Sequence, residues 1–175
     1  MVRPSTDADV AAISQIYAHH VLHGTATFEI DPPTAEEISR RRNAVLHAGL
    51  PHLVAECAGV VAGFAYAGLY RPRPAYRFTV EDSIYIHPDY LRKGLGRALL
   101  MELIRQCELG VWRQMVAVIG DSANTPSIRL HEDAGFLPAG VFHSVGWKFC
   151  RWLDTVLMQR PLGAGDHSPA VTPEA

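Results

Sequence analysis

Residues 84–100, Ile84-Tyr85-Ile86-His87-Pro88-Asp89-Tyr90-Leu91-Arg92-Lys93-Gly94-Leu95-Gly96-Arg97-Ala98-Leu99-Leu100, constrain this chain more than any other stretch. A β-branched and aromatic run stops at His-Pro-Asp, turns through a basic segment with two glycines, and enters an amphipathic helix at once. The first N–H groups of a helix have no internal partner, and the helix dipole adds positive potential there. Gly94 and Gly96 let main chain and anion approach closely, while Arg92, Lys93 and Arg97 add charged donors. The segment is expected to cradle phosphate. It is not a Walker A loop, because G-x-x-x-x-G-K-[S/T] is absent. It is not the dinucleotide fingerprint either, because Leu99 holds the third glycine position.

The flanking chain reads as alternating strands and helices. Val2-Arg3-Pro4 is a short strand, and Ser5 or Thr6 caps a helix with Val10, Ile13, Tyr17 and Val21 on one face. Thr34-Ala35-Glu36-Glu37 is a capping box opening a helix that Gly49 and Pro51 end. Residues 53–55 and 60–66 form a hairpin, and residues 79–86 a strand. A helix over 94–109 presents Leu99, Leu100, Leu103 and Cys107 to a core. The apolar run 115–119 is a strand buried on both faces, a helix over 124–134 ends at Gly135, and strands over 136–145 and 148–158 follow. Strand-helix-strand units need crossovers, whereas the hairpins do not. The expected fold is α/β (α+β), with a mixed, mostly antiparallel central sheet and helices on both faces.

The 175 residues suit one domain, placed at 1–162, and the tail 163–175, rich in Pro, Gly and Ala, is expected to be disordered. A net charge of −2 without a basic run argues against nucleic acid and an electrostatic membrane anchor. No apolar stretch approaches the roughly 20 residues that a membrane-spanning helix needs. Met1-Val2-Arg3-Pro4-Ser5 is not a secretory leader, so a cytoplasmic location is expected. Cys57, Cys107 and Cys150 lack C-x-x-C spacing and read as small buried apolar residues in a reducing compartment. The histidines, including His19, His20 and His23, show no metal-ligand spacing, and no metal is expected.

Leu91-Arg92-Lys93-Gly94-Leu95-Gly96 resembles the acyl-CoA signature Q/R-x-x-G-x-G/A of the GNAT superfamily of N-acetyltransferases, with Leu91 replacing the first Gln or Arg. Residues 124–136, Asn124 through Phe136, resemble that family's N-x-x-[S/A]-x-x-L-[Y/H]-x-x-x-G-F helix. Residues 76–86, Val118-Ile119-Gly120 and residues 146–154 resemble phosphinothricin and methionine sulfoximine acetyltransferases, so the resemblance spans roughly residues 2 to 160. It implies acetyl-CoA as co-substrate. The diphosphate would lie on Arg92, Lys93, Gly94, Leu95, Gly96 and Arg97, and the pantetheine arm on Ile84, Tyr85, Ile86, Asn124 and Ser127. It also implies a small-molecule amine as acceptor, an amino acid or close analogue, and a homodimer in which Trp147, Phe149 and Trp152 are candidate interface aromatics.

The chemistry needs a neutral amine, an aligned thioester and a donor for the oxyanion. Glu81, a carboxylate inside an apolar strand, is the candidate general base, since partial burial raises a carboxyl pKa. Asp82 has the opposite parity and reads as structural or surface-exposed. The N–H near Tyr85 or Ile86 is the candidate oxyanion donor, and His131 the candidate acid for the departing thiolate. An acceptor carboxylate wants an arginine fork, for which Arg71 and Arg77 are favoured over Arg73. Tyr76 would wall the pocket, and Phe28 would pack on the acceptor's side chain. Glu29 follows Phe28 where some phosphinothricin enzymes carry arginine, a departure that counts against tight phosphinate binding. Other amines (a polyamine, an aminoglycoside, a protein N-terminus) and a non-catalytic acyl-CoA sensor are the alternative readings.

Overall fold

The computed structural model describes residues 1–170. Strand Val2–Pro4 (β1) leads into a 3-10 turn, Asp7–Asp9, where the Thr6 N–H donates to Asp9 Oδ2 at 2.7 Å, and then into helix Val10–His23 (α1). Helix Ala35–His47 (α2) follows. Thr34 caps it by accepting from the Glu37 N–H, but the Glu37 carboxylate accepts from Arg40 and Arg41 instead of returning to Thr34, so half of the expected capping box forms. Next come strands His52–Cys57 (β2), Val60–Leu69 (β3) and Thr79–Ile86 (β4), helix Leu95–Glu108 (α3), strand Gln114–Gly120 (β5) and helix Thr125–Asp133 (α4). Strands Leu137–Lys148 (β6) and Arg151–Pro161 (β7) complete the order.

The seven strands form one sheet in the order β1-β2-β3-β4-β5-β7-β6. Only β4 and β5 run parallel; every other neighbouring pair is antiparallel. This is the mixed, mostly antiparallel sheet expected, because α3 makes the one crossover that joins two neighbouring strands in the same direction. Strand alternation divides the core in two. Leu53, Ala55, Ala65, Ala67, Val80 and Met115 pack with α3, while Val54, Phe64 and Tyr85 pack with Ile13, Ile16 and Tyr17 of α1 and Ile38 of α2. Among the described residues no helix is long and apolar enough to cross a membrane.

Three expectations change. The last hairpin turns at Phe149 and Cys150, both at positive φ (53° and 56°), not at Gly146-Trp147, because the β6–β7 ladder runs on to Lys148 opposite Arg151. Cys107 is buried, but Cys150 is exposed at that turn and Cys57 is half-buried. Within the tail expected to be disordered, Gly165 is buried, and Arg113 donates to the carbonyls of Gly165 and Ser168, each at 2.8 Å. Residues 171–175 lie outside the described residues.

Candidate active site

The β4–β5 ladder holds from Thr79 opposite Gln114 to Asp82 opposite Ala117, and there it ends. Both strands continue, β4 to Ile86 and β5 to Gly120, without pairing with each other. A cleft of about 230 Å³ fills the fork. It passes through the sheet, since His20 and Ala26 line it on the α1 side and Asn124, Ser127 and His131 line it on the α4 side.

The edge of β4 is polar in a specific pattern. Tyr70 donates its N–H to the Thr79 carbonyl and His87 its N–H to the Ala62 carbonyl, which sets the alternation of the β3–β4 ladder. Tyr85 then belongs to a bonded pair with Phe64, and its main chain is engaged with β3. Ile84 and Ile86 turn their N–H and C=O groups toward the cleft. Of the two residues expected to offer a cleft-facing N–H, Ile86 does so and Tyr85 does not, Ile84 taking its place, while the Tyr85 ring packs against Tyr17 at 5.0 Å between centroids. The Ile86 carbonyl accepts from His20 Nε2 at 2.9 Å, a contact that sequence reading missed. Burial lowers the His20 pKa, which suits a neutral ring donating through Nε2.

The glycine loop closes the α3 end of the fork. Arg92 (φ 58°) and Gly94 (φ 78°) are left-handed, and Gly94 is the N-cap of α3. The first α3 bond runs from the Ala98 N–H to the Gly94 carbonyl, so the N–H groups of Leu95, Gly96 and Arg97 have no acceptor inside the helix. A Cβ at Gly96 would make an ordinary contact with Leu130 Cδ2 at 3.4 Å, so it is the left-handed Gly94, not Gly96, that the turn requires. Arg92 and Arg97 are exposed, whereas Lys93 bends back, its Nζ donating to the Asp89 carbonyl at 3.0 Å and lying 4.5 Å from the centre of the Tyr90 ring. These free donors, with the unpaired edge of Ile84 and Ile86, fit a diphosphate followed by an amide-bearing arm.

On α4, Asn124 Oδ1 accepts from the Ser127 N–H at 3.3 Å, which leaves the Asn124 amide N–H₂ for the cleft. His131 is buried, its Nδ1 donating to the Ser127 carbonyl at 2.7 Å and its Nε2 lying 3.0 Å from Asp82 Oδ2. Neither ring nitrogen is free to face a thiolate, which counts against His131 as an acid. Burial pulls the His131 pKa down, but the Asp82 hydrogen bond and charge and the Ser127 carbonyl outweigh it, and the net shift is upward. Asp82, expected to be structural or exposed, is buried and holds this histidine. The signal was present: a carboxylate on the core face of an apolar strand requires a partner.

Glu81 does not line the cleft; its side chain leaves β4 on the opposite face from Asp82, the α1 side. It lies one residue below the fork. Burial raises its pKa, the Arg71 charge lowers it in part, and Asp82 raises it further. Arg71, Arg73 and Tyr76 line a shallow surface pocket together. Arg77 is not among them, donating instead to the Pro74 carbonyl at 3.2 Å and stacking 4.6 Å from the Phe78 ring centre. Phe28 lies where a Cβ on Gly146 would fall 2.3 Å from its Cε2 and one on Gly120 3.0 Å from its Cε1. Its loop is pinned by the buried Lys148, whose Nζ donates to the carbonyls of Gly24 at 2.9 Å and Thr27 at 2.8 Å. Glu29 is neutralised, accepting from Tyr17 Oη at 2.9 Å and from Arg41 at 2.5 Å. Among the described residues no group of three His, Cys, Asp or Glu side chains could hold a metal ion.

A family model described as acetyltransferase (GNAT) family matches residues 13–136. The chain is 59% identical over 165 residues to a phosphinothricin N-acetyltransferase of Alcaligenes faecalis, covering 94% of this chain and 84% of the relative. It is 42% identical over 161 residues to an L-methionine sulfoximine/L-methionine sulfone acetyltransferase of Salmonella typhimurium, covering 92% and 94%. Among solved structures, a GNAT superfamily phosphinothricin acetyltransferase from Sinorhizobium meliloti, in complex with AcCoA, superposes with a TM-score of 0.96 at 44% identity, covering 99% of this chain and 94% of that one.

Proposed function

The chain belongs to the GNAT family of acetyltransferases, and from that premise we propose that it transfers an acetyl group directly from acetyl-CoA to the α-amino group of an amino acid or analogue of the phosphinothricin and methionine sulfoximine type. It is an N-acetyltransferase with acetyl-CoA as co-substrate. The observation that carries the finer reading is the fork through the sheet, with a phosphate-binding turn at one mouth and Glu81 beside the other.

The residues of the chain divide the work. The N–H groups of Leu95, Gly96 and Arg97, with Arg92, hold the diphosphate. Ile84, Ile86 and the Asn124 amide bind the arm, and an N–H of Ile84 or Ile86 donates to the thioester oxygen as it gains charge. On the α1 side Glu81 accepts the proton of the attacking amine, directly or through water. Arg71, with Arg73 and Tyr76 beside it, receives the acceptor carboxylate. The pairing of Glu29 with Arg41 removes an anion that a polyamine or aminoglycoside would need and favours an anionic acceptor. Residues 1–162 form one domain in this reading. Two copies pair through the exposed aromatics of the β6–β7 hairpin, Phe142, Trp147 and Trp152 on its strands and Phe149 at its turn.

The test is release of free thiol from acetyl-CoA with phosphinothricin, methionine sulfoximine, methionine sulfone and the proteinogenic amino acids as acceptors. Turnover of the sulfoximine or the phosphinate above that of spermidine is the expected result. Acetyl-CoA binding without turnover of any acceptor would instead describe a sensor and remove the proposal.

A further inference from the structure

The root of the fork holds a buried carboxylate with half of its hydrogen-bonding capacity unused. The Asp82 side chain is 3% exposed. Its Oδ2 meets His131 Nε2 at 3.0 Å, but Oδ1 is buried and has no hydrogen-bond partner among the described residues. Asp82 lines the cleft at the last rung of the β4–β5 ladder, where the arm of an acyl thioester ends in the proposed binding mode.

The protons around His131 can be counted. The Ser127 carbonyl can only accept, so Nδ1 carries a hydrogen. One further proton lies between Nε2 and Asp82 Oδ2, so the pair is neutral as a whole. Were that proton lost, the Nε2 lone pair would face a carboxylate oxygen across 3.0 Å. The pair therefore keeps its proton and acts as a brace between β4 and α4. The neighbouring carboxylate, Glu81, leaves β4 on its other face. Cys107 of α3 feels the charge of Asp82, and Phe136 stands edge-on to the imidazole at 5.0 Å. None of these supplies a donor to Oδ1.

A buried carboxylate oxygen without a donor is costly, and the cost is relieved when a ligand brings one. We infer that Asp82 is a cofactor-binding residue whose Oδ1 accepts a hydrogen bond from the thiol end of coenzyme A, from the cysteamine amide N–H or the product S–H, while His131 holds the carboxylate in place. This rests on the reading that the arm lies in the fork.

The test compares three probes by titration calorimetry on the wild type and Asp82→Asn. The probes are acetyl-CoA, CoA, and 3′-phospho-ADP, which has the diphosphate but no arm. Asparagine keeps the shape and removes the charge: its amide N–H₂ donates to Nε2 of a neutral His131 protonated on Nδ1, which leaves an uncharged oxygen facing the arm. Asp82→Asn is expected to weaken CoA by roughly tenfold, the difference between a hydrogen bond to a charged and to a neutral acceptor, while 3′-phospho-ADP binds as before. Acetyl-CoA weakened in step with CoA assigns the amide N–H, and CoA weakened alone assigns the thiol. Equal weakening of all three probes would mean a purely structural role and overturn the inference, as would no weakening of either thioester-arm ligand. Failure of acetyl-CoA to bind the wild type would remove the functional reading and this inference with it. Should Asp82→Asn not fold, the same contrast is read in wild-type protein carrying ¹³C-labelled aspartate. The Asp82 carboxyl resonance should move on adding CoA but not 3′-phospho-ADP, and a resonance indifferent to both CoA and acetyl-CoA overturns the assignment.

Discussion

Two adjacent carboxylates, Glu81 and Asp82, receive opposite surroundings because a strand turns successive side chains to opposite faces. Asp82 is given a histidine, whereas Glu81 is given burial and a more distant arginine. Burial makes Glu81 a stronger base than an exposed glutamate, and in the role proposed for it a general base contributes about 10²- to 10⁴-fold in rate. Glu81→Gln should therefore lower kcat by that order, with the KM for acetyl-CoA unchanged, as steady-state kinetics would show. The sign of the pH effect follows from Arg71. Its positive charge lowers the Glu81 pKa, so Arg71→Ala should move the acid limb of kcat/KM for the acceptor to higher pH, where the carboxylate first ionises. The acceptor KM should rise in the same variant. A limb that stays in place would separate Arg71 from Glu81.

Among the elements, the turn before α3 and the loop after α1 depend on single glycines for different reasons. At Gly94 the reason is φ: a Cβ in the left-handed region costs about 1 kcal/mol. Gly94→Ala should raise the KM for acetyl-CoA several-fold and leave the acceptor KM near wild type. At Gly146 the reason is space. A Cβ there falls 2.3 Å from the Phe28 ring, so Gly146→Ala must push the ring out, at a cost of about 1–3 kcal/mol in a packed contact. Because Ala26 of the same loop lines the cleft, the acceptor KM should rise. Adding Phe28→Ala should recover stability in thermal melts, and a double variant no more stable than Gly146→Ala alone would show that the ring is not what the methyl group meets.

For the molecule as a whole, the proposed dimer rests on the exposed aromatic hairpin, and the response to acid on a buried histidine. Trp147 and Trp152 pair across β6 and β7 with ring centroids 5.1 Å apart, at 55% and 61% exposure. Side chains of this size left open to water are costly unless covered. Sedimentation of the wild type should give a dimer, and Trp152→Glu a monomer. His52 is stacked beside Tyr66, and burial lowers its pKa to about 4. The unfolded chain protonates this ring below about pH 6.5 while the folded one does not. Its stabilising contribution is therefore present above that pH and lost as pH falls from about 6.5 to about 4. The loss reaches about 3 kcal/mol, because each tenfold difference in proton affinity between the unfolded and folded chain is worth about 1.4 kcal/mol. Urea melts at pH 7 and pH 5 should differ less in His52→Phe than in the wild type.

Much of the architecture was local enough to be read from residues alone. Alternation in residues 79–86, the apolar stripe of Leu99, Leu100, Leu103 and Cys107, and the glycines at 94 and 135 act on neighbours in the chain, so they specified β4, α3 and the helix ends. The glycine turn before α3 was legible for the same reason, since its exposed N–H groups belong to one continuous segment. The rest depended on residues brought together from far apart in the chain. No local pattern marks Asp82 opposite Ala117 as the last rung, because where two parallel strands part is decided by what packs on both sides of them. Nothing near His20 announces the Ile86 carbonyl, and nothing near Gly146 announces Phe28. The pairing of Asp82 with His131 spans 49 residues and commits both ring nitrogens, which turned an expected acid into a brace. Sequence set the elements and the glycine turn through short-range sterics and hydrogen bonding, whereas tertiary packing alone decided where the sheet opens and which buried groups are left facing the opening.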